Sequence, residues 1–141
     1  TVYPMNSSVA MARIVAMVLV SDARLDDAEF EWLDKLNAYD LLGVTHQEFN
    51  QVLHAYCEDI SDEAELDGRI HLIDIARIHQ ALDCITDPKK RLTLCAIVLS
   101  VMKGVHQDLD DVELAMFTHM MDYWHITLDD VASAFSKTVV Q

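Results

Sequence analysis

Chemistry in this chain, if it has any, must come from carboxylates, imidazoles or thiols, because the more specialised catalytic signatures are missing. There is no Gly-x-Ser-x-Gly elbow, no phosphate loop and no dinucleotide fingerprint, and 3 glycines cannot build one. The stretch Glu63-Ala64-Glu65-Leu66-Asp67-Gly68-Arg69-Ile70-His71-Leu72-Ile73-Asp74 mimics a calcium loop, with oxygen donors at places one, three and five and glycine at six. Glutamate stands first where aspartate is expected, and aspartate stands last, one carbon short of bidentate reach. An acidic, solvated interhelical loop is the better reading of this segment.

The 7 histidines (His46, His54, His71, His79, His106, His119 and His125) form no Glu-x-x-His or His-x-x-x-His pattern of the kind helical metal sites use. They read as surface or internally satisfied rings; only His71 and Asp74, three apart, could share a site. Cys57, Cys84 and Cys95 are odd in number and far apart, with no Cys-x-x-Cys pair, and are expected to be buried free thiols in a reducing compartment. The 7 methionines are expected as core filler.

Composition sets the frame for these groups. Apolar residues make up 52% of 141, with only 3 glycines and 2 prolines, which argues for one packed helical domain spanning 1–141. Acidic residues number 24 against 10 basic ones, a net charge of -14. Such a field repels nucleic acid and anionic membranes and attracts cations and basic protein surfaces. The apolar run from Leu94 to Leu99 is broken by Ser100 and Lys103, well short of the ~20 residues that span a bilayer. The N-terminus lacks the regions of a signal peptide, so a cytoplasmic location is expected. Thr1 in place of methionine is what a fragment or processed product would show.

The elements that position the candidate groups are written twice. Leu25-Asp26-Asp27-Ala28-Glu29 aligns with Leu109-Asp110-Asp111-Val112-Glu113 at an offset of 84. At the same offset Trp32, Leu33, Leu36 and Tyr39 fall on Met116, Phe117, Met120 and Tyr123, an i, i+1, i+4, i+7 stripe on one helical face. Two residues then drop out, and Thr45, Phe49, Val52 and Leu53 meet Thr127, Val131, Ala134 and Phe135. The fold expected is an all-α bundle of about seven helices, built from two related three-helix units near 9–56 and 93–138. Helices are predicted over 8–21, 27–41, 46–58, 69–84, 88–103, 111–124 and 128–138. The first and fifth are apolar nearly all round, which places them at the centre. Thr45-x-x-Glu48 reads as a capping box, Thr127-x-x-Asp130 as a weaker one, Asp87-Pro88 as a capped helix start and Gly43 as a C-terminal cap.

With these residues in place, the chain resembles the TerB-like family. Its repeated signature is a buried helix ending in Ala-Asp-Gly, an aliphatic residue, and a glutamate opening the next helix. Here Val20-Ser21-Asp22-Ala23-Arg24-Leu25 leads to Glu29, and the segment from Leu82 through Asp87-Pro88 and Arg91 is similar too. Ala23 replaces the family glycine, and in the second copy His106 and Gln107 replace the acidic residue and glycine, although Glu113 remains.

The resemblance implies a non-enzymatic, acidic binding or scaffold module linked to tellurite resistance and stress response in bacteria. It also puts Asp22, Glu29, His106 and Glu113 forward as metal ligands. If the units pack about a pseudo-twofold, these four would suit a divalent cation, zinc, nickel or manganese before calcium. Capping alone explains the spacing of Glu29 and Glu113, and it is the simpler account. A small-ligand sensor or enzyme using a cleft between the units is the alternative, and a homodimer through the Trp32 and Trp124 regions a third.

Overall fold

The computed structural model describes residues 3–20, 27–35, 37–67, 75–105 and 111–133. Within them lie α1 (Ser8–Val20), α2 (Asp27–Lys35), α3 (Ala38–Leu42), α4 (His46–Asp67), α5 (Ile75–Asp83), α6 (Pro88–Val105) and α7 (Asp111–Trp124). An eighth segment, α8, is helical over 128–133, and no strand occurs among the described residues. The chain is all-α.

Helices α1 and α6 form the centre, as their all-round hydrophobicity requires. Every α1 residue from Ala10 to Val20 is buried except Arg13, and α6 buries Leu94 to Val98, Val101 and Met102. Helix α1 packs on α3, α4, α5, α6 and α7, while α6 packs on α1, α2, α3 and α7. The two stripes read from the sequence face inward. Leu33 and Tyr39 of the first, and Met116, Phe117 and Met120 of the second, are buried. Leu36 lies outside the described residues, as do Ala134 and Phe135.

The chain turns similar corners after Tyr39 and after Tyr123, ahead of α4 and α8. Gly43 adopts the left-handed conformation (φ 81°) and closes α3, with Val44 N–H donating to Tyr39 C=O at 3.0 Å and Gly43 N–H to Asp40 C=O at 3.1 Å. Eighty-two positions on, His125 is also left-handed (φ 56°). There Ile126 N–H donates to Met121 C=O at 2.9 Å and His125 N–H to Asp122 C=O at 3.2 Å. A reciprocal capping box follows each corner. Thr45 Oγ1 accepts from Glu48 N–H at 3.0 Å and Thr45 N–H donates to Glu48 Oε1 at 2.9 Å; Thr127 and Asp130 repeat this at 3.2 and 3.1 Å. Glycine also spares a close approach: a Cβ at Gly43 would stand 2.6 Å from Ser8 Oγ, and that hydroxyl would have to turn away.

Two boundaries differ from the sequence expectation. The helix expected over 27–41 is two helices, because Asn37 takes a left-handed conformation (φ 55°) that asparagine tolerates better than most residues. Helix α4 runs 22 residues rather than ending at 58, since Phe49, Val52, Tyr56 and Ile60 continue one buried face at helical spacing. Its length corrects the reading of the first part of the acidic stretch as a loop, since 63–67 continue helix α4. The remainder of that stretch, 68–74, with His71 and Asp74, lies outside the described residues. Met5 is the exception among the methionines, 62% exposed.

The turn between α5 and α6 is fastened from three sides. Asn6, left-handed at φ 59°, accepts from Thr86 and Asp87 N–H through Oδ1 and donates from Nδ2 to Thr86 Oγ1, while its own N–H donates to Cys84 C=O. Asp87 caps α6 through Lys89 N–H at 2.9 Å, ahead of Pro88. Arg91 Nε donates to Ile85 C=O at 2.7 Å and lays its guanidinium 5.3 Å from the Trp124 ring centroid. Trp124 is itself buried and donates to Leu82 C=O, so it is a lock between α5 and α7 and offers no dimer surface. These bonds fix the relative positions of α5 and the end of α7.

Candidate functional site

Of the four residues put forward as metal ligands, the described structure places one side chain. Glu113 sits in the first turn of α7 and is 1% exposed. Glu29 lies on α2, with its side chain outside the description, and Asp22 and His106 lie outside the described residues altogether. The burial of Glu113 is informative. Glu48 and Asp130, which complete capping boxes, are exposed, as residues that serve only as caps are free to be. A carboxylate withdrawn from water costs several kcal/mol unless the fold compensates it, and Glu113 is not an isolated charge. Among the described residues, no three His, Cys, Asp or Glu side chains converge to hold a metal ion.

A second constellation joins α1, α4 and α5. Arg13 Nη1 stands 3.1 Å from Asp59 Oδ2, with its guanidinium 5.1 Å from the Tyr56 ring centroid and 5.9 Å from that of Tyr3. Arg77, also buried, hydrogen-bonds the Tyr56 side chain. Burial pushes the Tyr56 phenol up from its ordinary value, against the opposing pull of Arg77 and Arg13, so the ring stays neutral. Both arginines line a shallow cavity of about 30 Å³, together with Tyr3, Gln80 and Cys84. That is room for a water molecule or two.

The third constellation was hidden from sequence reasoning. Helix α5 carries His79 and Asp83, α7 carries His119 and Tyr123, and each pair is four residues apart on its helix. His79 Nε2 and His119 Nε2 lie 3.0 Å apart. The ring planes are within 10° of parallel and the centroids 5.1 Å apart. Rings piled face to face keep their atoms about 3.5 Å apart, so the nitrogens instead lie between the two rings and point at each other. One Nε2 therefore carries a proton and the other offers a lone pair. Tyr123 stacks on His79 at 4.3 Å and donates its hydroxyl to Asp83 Oδ1 at 2.6 Å; that bond raises the pKa of the phenol. Both histidines are half-buried and stay accessible. Their separation of 40 residues leaves no spacing to recognise; the only trace is the matched i, i+4 companions.

Against known proteins, the chain matches no family model, no curated protein and no solved structure at a significant level.

All three cysteines are free. Only Cys95 is buried outright, and burial pushes its thiol up to about 12; Cys57 and Cys84 are half-buried, which corrects the expectation that all three lie inside. Tyr39, packed edge-on against Phe49 at 5.3 Å and His46 at 5.0 Å, is likewise raised to about 12, first by burial and then by the charge of Asp34.

Proposed function

We propose that this chain is an acidic binding or scaffold module of the TerB-like kind, a stress-response component acting in the bacterial cytosol, with a divalent cation held by Asp22, Glu29, His106 and Glu113. The observation that carries this reading is the burial of Glu113, at 1% exposure, in the helix entrance where the family places its second-copy glutamate. A glutamate serving only as a cap has no reason to leave water.

Duplication of a three-helix unit is part of the same proposal. It is supported by the paired corners at Gly43 and His125 and by the paired capping boxes at Thr45 and Thr127. No helix among the described residues is long and apolar enough to cross a membrane. The net charge of -14 suits partners with basic surfaces.

Calorimetry on chelator-treated protein, titrated with zinc, nickel, manganese and calcium, tests the metal part. The expected result is binding of zinc, nickel or manganese that Glu113→Gln weakens. Heat from none of the ions, or heat indifferent to Glu113→Gln and Asp22→Asn, removes that site.

A further inference from the structure

We infer that His79 and His119 form a two-imidazole site for a divalent transition-metal ion, independent of the cation site proposed at Glu113. Two facing ring nitrogens 3.0 Å apart are joined by one proton or one cation. A tetrahedral ion with metal–nitrogen bonds of about 2.0–2.1 Å holds its ligand nitrogens about 3.3 Å apart. The pair therefore has to open by about 0.3 Å, and because the nitrogens face each other rather than a common point, each ring must also turn by about 35° to aim its lone pair at the ion.

Imidazole nitrogens select zinc, copper or nickel over calcium and magnesium. The local chemistry assists. Tyr123 holds the His79 ring from one face, Asp83 anchors that tyrosine, and the acidic chain draws cations to its surface. Water completes the coordination, because the described residues supply no third protein ligand here. The proton balance is simple. Each neutral ring keeps one proton, so metal binding moves the bridging Nε2 proton to the Nδ1 of the same ring through solvent and releases none. Both Nε2 lone pairs then face the ion.

Titration of chelator-treated full chain with zinc chloride, followed by calorimetry and by the ring-nitrogen resonances of the 7 histidines, tests the site. One zinc per chain is expected at this site, with His79 and His119 both becoming Nδ1–H tautomers. His79→Gln and His119→Gln should each weaken it about tenfold or more, since even outer-shell partners of a metal ligand cost about that much. His54→Gln, at an exposed ring paired with Glu58, should leave it unchanged. Glu113→Gln should also leave it unchanged, so failure here and failure of the Glu113 site are told apart. No movement of the His79 and His119 resonances, or zinc affinity equal in wild type and both glutamine variants, overturns the proposal in favour of a shared proton alone.

Discussion

At the scale of single residues, burial has turned several ordinary side chains into groups that resist ionisation. Cys95 and Tyr39 both rise to about 12 from ordinary values of 9.0 and 10.0. In the unfolded chain these groups ionise first, so their contribution to stability is complete below about pH 9 and drains away as pH climbs toward 12. Thermal melts should therefore show the melting temperature falling across that alkaline window, beyond the loss seen in a Cys95→Ala, Tyr39→Phe double variant. Thiol titration of the native protein at pH 8 should label Cys57 and Cys84 well before Cys95, whose labelling should track global unfolding. Equal reactivity of all three would contradict the packing of α6. Sequence alone foresaw free thiols but not their grading, since exposure depends on which face of a helix meets a neighbour. The His79–His119 contact and the Arg13–Arg77 cavity were illegible for a related reason. Their members come from different helices, and only tertiary packing joins them.

At the scale of elements, the signals that proved readable were those made by local hydrogen bonds. Thr45, Thr127, Asp87 and Gly43 were all identifiable as punctuation because each acts on backbone groups within a few residues. Boundaries set by long-range burial were less readable. The end of α4 depended on Ile60 finding the core, and the break before α3 on one asparagine whose left-handed turn lets Tyr39 and Leu42 face inward. Thr45→Ala and Thr127→Ala should each cost about 1 kcal/mol in urea-unfolding experiments. Because the two corners share no partners, the double variant should lose about the sum. A double variant no worse than either single would mean that one corner does not form in solution.

At the scale of the whole molecule, fold class and centre were legible because α1 and the 94–102 stretch of α6 have almost no polar face to present to water. Arg13 is the one long charged side chain breaking the run in α1, and it does so beside Asp59 and two tyrosine rings. The acidic excess acts across this whole. With a net charge of -14, self-repulsion opposes the compact state, and counterions relieve it. The melting temperature should rise on going from about 0.01 M to about 0.15 M salt, over which the Debye length shrinks from about 30 to about 8 Å. A melting temperature indifferent to salt would show that the fixed charges are already balanced locally.

The two matching corners are not equals. Gly43 bears its left-handed backbone without penalty, whereas His125 holds a side chain in a region that disfavours one by roughly 1–2 kcal/mol. Local opening should consequently begin at the histidine bend: the Ile126 amide should exchange with deuterium faster than the Val44 amide, and His125→Gly should slow it. In that order of loosening, α8 parts from α7 while α4 is still anchored, so two corners alike in form would differ in motion.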